Sequence, residues 1–159
     1  MQLTHYTDYS LRVLLYLSLQ DEERITISDI AEHFHIPRNH LVKVVHHLGK
    51  LNYIQTTRGK KGGLRLAIDA NEICVGEVVR NMETRLDIMD CDNPSQCPIL
   101  PLCRLKDLLH EACDGFLHVL DGYTVADLQQ PPDGLKHLLC RHHHRKHVEL
   151  APPSGPYGH

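Results

Sequence analysis

The sequence predicts a mainly α-helical domain with one small β-hairpin and a long C-terminal helix. Three observations predict it. Apolar residues recur at helical spacing in successive stretches of the first fifty positions, and two short strand-like runs then flank a Gly-rich basic turn. From Arg104 onward an amphipathic pattern continues without a miss to Leu120.

The elements follow in order. Thr7 to Gln20 reads as a first helix, with Leu11, Leu14, Leu15 and Leu19 on one stripe, and the acidic turn Asp21 to Arg24 ends it. Thr26 and Asp29 fit a capping box, followed by Ile27, Ile30, Ala31 and Phe34 at helical spacing. Pro37 punctuates, and Leu41, Val44, Val45 and Leu48 form the next stripe. Two short helices, the tight His35-Ile36-Pro37 connector and the small Ala31 at the close approach give a helix-turn-helix over about residues 28–51, with 38–50 as the recognition helix. Tyr53 to Thr57 and Leu64 to Ile68, joined by the turn at 58–63, read as a hairpin wing within 52–68. Glu72 to Met82 is a short helix, 83–103 is loop-like with three prolines, and Thr124 to Leu128 is a short helical cap. The predicted class is therefore a mainly α winged helix-turn-helix domain over 1–129 with a dimerisation helix at 104–121, then a flexible His/Pro-rich tail over 130–159.

The net charge of −3 hides an uneven distribution. Arg38, Lys43, Lys50, Arg58, Lys60, Lys61 and Arg65 fall in a stretch with no Asp or Glu, and local field decides whether phosphate is attracted. Arg38, Asn39, His40 and Lys43 open the recognition helix, where side chains reach base edges; Arg58, Lys60 and Lys61 sit on the wing turn, suited to phosphate or a minor groove. Double-stranded DNA is the expected partner, although winged helices also serve as protein-interaction modules. No nucleophile elbow, phosphate loop or carboxylate pair points to an enzyme. No apolar run approaches the roughly 20 residues of a membrane span, and the first residues do not read as a secretory signal. A cytoplasmic address is expected.

Six cysteines in such a chain are poor candidates for structural disulfides. Cys91, Cys97 and Cys103 are spaced by six. On a helix that step turns each cysteine about 240° from the last, and on a strand successive cysteines share a face but lie about 20 Å apart. Only a segment wrapped around something brings the sulfurs together; thiolates suit iron–sulfur clusters and zinc, with three unrelated loop cysteines as the alternative. Cys74 and Cys113 fall on apolar stripes and read as core, and Cys140 lies in the tail. The tail histidines His137, His142 to His144 and His147 read as a solvated extension, with weak metal binding as the alternative. The helix from Arg104 is long for so small a domain to cover, so Leu108, Phe116 and Leu117 are expected as homodimer anchors.

Several separate motifs then carry a resemblance. Met1-Gln2-Leu3-Thr4 with Tyr6-Thr7-Asp8-Tyr9, Arg38 to Lys43, Arg58 to Gly63, and the three cysteines followed by Arg104-Leu105-Lys106 are similar to the NsrR group. These are nitric-oxide-sensitive repressors of a winged-helix family that also contains the cluster regulator IscR. The match runs from Met1 to about Gln129. It implies a homodimer on an inverted-repeat operator and an iron–sulfur cluster, 2Fe-2S or 4Fe-4S, with the cluster loop (90–103) of each subunit near the other's first helix. It also implies Asp8 of the partner subunit as a fourth ligand; the same Asp8 suits a helix N-terminus and an i,i+4 pair with Arg12. IscR-like chains place a histidine ligand three residues after the third cysteine, and Lys106 stands there, which favours nitric oxide as the signal. A regulator of iron or cluster supply and a zinc-stabilised module remain the alternatives. Pro37 departs from the serine-type cap usual in the family.

Overall fold

The computed structural model describes residues 2–20, 25–57, 59, 62–89, 91, 97–130, 134–135 and 138–139. Its elements are α1 (His5–Ser18), α2 (Ile27–Phe34), α3 (Arg38–Lys50), β1 (Ile54–Thr56), β2 (Leu64–Leu66), α4 (Val75–Met82) and α5 (Arg104–Asp121).

α1 begins two residues before Thr7, because Thr4 is the cap and its hydroxyl accepts the Thr7 N–H at 3.3 Å. The capping box of α2 is present: Thr26 Oγ1 accepts the Asp29 N–H at 3.3 Å, and Asp29 Oδ2 accepts the Thr26 N–H at 2.8 Å. At its other end His35 adopts left-handed geometry (φ 53°), so α2 stops and the chain reaches α3 within two residues. Pro37 is the N-cap of α3 without a side-chain cap bond, and the helix forms nonetheless. α1, α2 and α3 enclose Val13, Leu14, Ile30, Leu41, Val44 and Leu48, all with no exposed surface.

β1 and β2 pair antiparallel, with Ile54 opposite Leu66 and Thr56 opposite Leu64. Both strands are shorter than the sequence runs, and Ile25 adds a bridge to Leu64 (Leu64 N–H to Ile25 carbonyl, 2.8 Å). The wing is thereby stitched to the segment leading into α2.

The helix expected over 72–82 divides into a 3₁₀ turn at Ala70–Glu72 and α4. Cys74, expected in the core, is instead the half-buried N-cap of α4, where the backbone bridges to Thr124. Val79, Cys113 and Leu117 form a second core between α4 and α5, with Leu86, Ile88, Phe116 and Leu120 packed on it. The buried Cys113 thiol donates to the Leu86 carbonyl at 3.0 Å. Arg80 makes paired bonds to the Asp121 carboxylate at 2.6 and 2.7 Å, fixing the end of α5 on α4. Gly76 is required beneath it, since a Cβ there would lie 2.0 Å from Asp121 Oδ1. Packing also continues past residue 130, the boundary expected for the tail: Leu139 is buried in the main core and Leu135 rests against it. Residues 140–159, with Cys140 and His142 to His147, lie outside the described residues, as does His137.

Candidate functional site

The surface of α3 is built by its own periodicity. Leu41, Val44, Val45 and Leu48 turn inward, which leaves Arg38, Asn39, His40 and Lys43 exposed. Arg38 Nε donates to Ser28 Oγ at 3.3 Å, so the start of α2 steadies the guanidinium. The His40 N–H is shared at 3.0 Å each between Asn39 Oδ1 and the Pro37 carbonyl. Val42, 40% exposed, lies among these polar groups and offers an apolar surface. On the wing, Arg65 donates to Gln55 Oε1 at 2.9 and 3.2 Å across the strand pair. Arg58, Lys60 and Lys61 lie outside the described residues. Ser28 and Gln55 were not singled out from sequence, because only the packing of α2 on α3 and the strand register show their bonds to Arg38 and Arg65.

The three spaced cysteines are free and half-buried. The Cys97 carbonyl accepts the Leu100 N–H at 3.2 Å, opening a 3₁₀ turn at Leu100–Leu102 that ends on Cys103. Cys103 is then the N-cap of α5, with no side-chain cap bond, at the helix end that favours negative charge. Cys91 lines a cavity of about 170 Å³ between residues 86–91 and α5, together with Met89, Lys106, His110 and Cys113. Residues 92–96 between the first two cysteines are not described. Among the described residues, no three His, Cys, Asp or Glu side chains converge as a metal-binding group. The donors themselves fit a thiolate-bound centre: three free thiols on one segment, with a fourth ligand required from elsewhere.

Asp8 lies in the first turn of α1, 40% exposed, and its Oδ1 accepts from Arg12 Nε at 2.8 Å. The Arg12 guanidinium also lies 5.7 Å from the centre of the Phe34 ring. One residue missed in the sequence ties this turn to the end of α4. Glu83, directly after α4, accepts from the Thr4 N–H (2.7 Å), the Thr4 hydroxyl (3.0 Å) and the Thr7 hydroxyl (2.6 Å). The buried Thr7 was readable only as one more polar residue near a helix start.

Of the residues expected to anchor a dimer, Leu108 is 59% exposed, Phe116 is half-buried against the second core, and Leu117 is buried within its own chain. The exposed seam of α5 is Leu105, Leu108, Ala112, Gly115 and Val119, at alternating three- and four-residue steps. The adjacent seam, with Cys113 and Leu117, faces α4.

A helix-turn-helix followed by a two-stranded wing, with a basic recognition face, defines a winged-helix DNA-binding regulator. Residues 3–131 match the Rrf2 family, described as an iron-dependent transcriptional regulator, and the chain belongs to that family. It is 50% identical over 142 residues to the HTH-type transcriptional regulator NsrR of Geobacillus kaustophilus, covering 87% of this chain and 97% of that one. It is 45% identical to NsrR of Bacillus subtilis, at 87% and 97% coverage. Among solved structures, the oxidized form of Staphylococcus aureus CymR superposes with TM-score 0.65 at 26% identity, over 82% of this chain and 97% of that one. T. potens IscR shares the fold, with TM-score 0.68 at 21% identity over 83% and 88%. The protein is thus a transcriptional regulator and not an enzyme. Among the described residues, no helix is long and apolar enough to cross a membrane.

Proposed function

We propose that this chain is a cytoplasmic homodimeric repressor that senses nitric oxide through an iron–sulfur cluster and releases an inverted-repeat operator when the signal arrives. The observation that carries the reading is the placement of three free, half-buried thiols on the segment that ends at the N-cap of α5. Cys91, Cys97 and Cys103 would hold the cluster, with Asp8 of the partner subunit as the fourth ligand. A bound cluster would supply iron as the reactive site for nitric oxide and four ligand bonds that order the loop.

The chain's own part is mechanical. Cys103 begins α5, so the arrangement of residues 91–103 sets the start of that helix, while Arg80 and Asp121 fix its end on α4. Glu83, at the end of α4 on the chain leading toward Cys91, bonds Thr4 and Thr7, within one turn of Asp8. The exposed seam Leu105, Leu108, Ala112, Gly115 and Val119 pairs with its copy, and the two recognition helices then meet successive major grooves about 34 Å apart. Arg38 and Asn39 read base edges, Val42 meets a thymine methyl, and Lys43 and the wing cations hold phosphate. Lys106, at the place of a family histidine ligand, favours nitric oxide over cluster supply.

The test uses anaerobically purified full-length protein and the duplex it selects from a random library. Nitric oxide is expected to release that duplex, and Cys97→Ala to lack both the visible absorbance and the response. Release by an iron chelator but not by nitric oxide would assign the signal to iron supply. Zinc without iron or sulfide in the purified protein would overturn the sensor reading.

A further inference from the structure

Within one turn of Asp8, two tyrosines of α1 face the recognition helix. The Tyr6 hydroxyl donates to the Lys43 carbonyl at 3.2 Å and also lies 3.1 Å from His47 Nδ1. The Tyr6 and His47 rings are 5.8 Å apart. Tyr9 stacks on His5 at 5.8 Å and meets His40 at 6.3 Å. The two contacts on α3, at residues 40 and 47, are seven residues or about two turns apart. Together they restrain the helix along one flank.

The proton inventory of this cluster is informative. A phenol carries one hydrogen, the Lys43 carbonyl can only accept, and His47 Nδ1 can accept or donate. The two bonds form together only when the phenol donates to the carbonyl and Nδ1 brings the hydrogen of the second bond. In the Nδ1–H tautomer, Nε2 of His47 is a bare acceptor, which cannot donate to a phosphate oxygen. As that tautomer His47 would buttress α3, leaving phosphate to exposed lysines such as Lys43 and Lys50.

We propose that Tyr6 is a positioning residue for DNA recognition: its hydroxyl locks His47 as the Nδ1–H tautomer and, with Tyr9 against His40, sets the rotation of α3 from the turn of α1 that carries Asp8. This rests on α3 being the recognition helix. The tautomer is read by long-range proton–nitrogen spectra of full-length protein labelled at its histidines, with His47→Gln assigning the signal. Nδ1–H is expected at His47 in the unsubstituted protein and is lost in Tyr6→Phe, which keeps the ring; Nε2–H at His47 in the unsubstituted protein overturns the proposal. In DNA titrations, Tyr6→Phe should weaken the selected duplex by roughly five- to tenfold and leave a scrambled duplex and the salt slope unchanged. Equal loss on both duplexes would make the role merely structural. His47→Asn, which keeps an N–H near the place of Nδ1, is expected to retain the preference, and its failure counts against the tautomer. Arg38→Ala separates the two layers: if it weakens the selected duplex while Tyr6→Phe does not, only the positioning role falls. If both are silent, α3 is not the reading helix.

Discussion

Around α1 to α3, Val13, Leu14, Ile30 and Leu41 have no exposed surface, whereas Ile99, Leu102, Leu105 and Leu108 are 64%, 92%, 54% and 59% exposed. The first region closes on itself: every apolar stripe finds a partner within the same chain. The second turns its apolar side chains outward along the cysteine segment and the first half of α5. Burial of a leucine is worth about 1.5–3 kcal/mol, so the first region draws its stability from intrachain packing and the second does not. The helix-turn-helix region is covered within its own chain. The cysteine segment and the first half of α5 leave apolar surface that, in the proposed dimer, the second copy would cover.

That contrast can be broken by measurement. Leu14→Ala should cost about 2–5 kcal/mol in urea unfolding, and Leu102→Ala under about 0.5 kcal/mol; similar values for the two would erase the distinction. On α5 itself, Leu108→Glu should raise the dimer dissociation constant roughly a hundredfold, about 2.7 kcal/mol. Sedimentation would follow this, with the monomer's helix content unchanged, and a dimer of undiminished affinity would move the interface off the exposed seam. Smaller again, Thr26→Ala should remove about 1 kcal/mol by uncapping α2. The smallest effect is at the Arg80–Asp121 pair. Hydrogen bonding to Arg80 holds the Asp121 carboxyl below its ordinary range, and the same bond raises Arg80. A depressed carboxylate stabilises the fold above its unfolded value and loses that contribution as pH falls through the folded one. Asp121→Asn should therefore flatten the acid limb of the unfolding profile slightly, since both groups are at the surface.

How much was legible follows the same division. The stripes of α1, α3 and α5 and the Thr26–Asp29 box fixed those elements because each signal is local, and the structure carries them within one or two residues. Cys74 was misjudged because a helical stripe does not reveal where a helix starts; the backbone bridge to Thr124 ends the 3₁₀ turn and makes Cys74 a cap. Leu117 was grouped with Leu108 because both lie on the apolar side of α5, yet α4 covers only one of its two seams. Which seam is covered depends on packing between helices distant in sequence. The roles of Glu83 and Tyr6 were invisible for the same reason: their partners lie 76–79 and 37–41 positions away. The cysteines were visible as a spacing, but spacing alone left iron–sulfur, zinc and unrelated thiols all open.

The junction of Gly76, Arg80 and Asp121 has a geometric consequence for a symmetric assembly. In a dimer paired along α5, each DNA-reading unit hangs from that helix through this contact, and the two-fold axis copies any angular change at one junction onto the other. A tilt of a few degrees would appear doubled between the units, at the far ends of two lever arms. In such a dimer the absent Cβ at residue 76 would work as the set-screw of a caliper whose jaws open to the pitch of DNA.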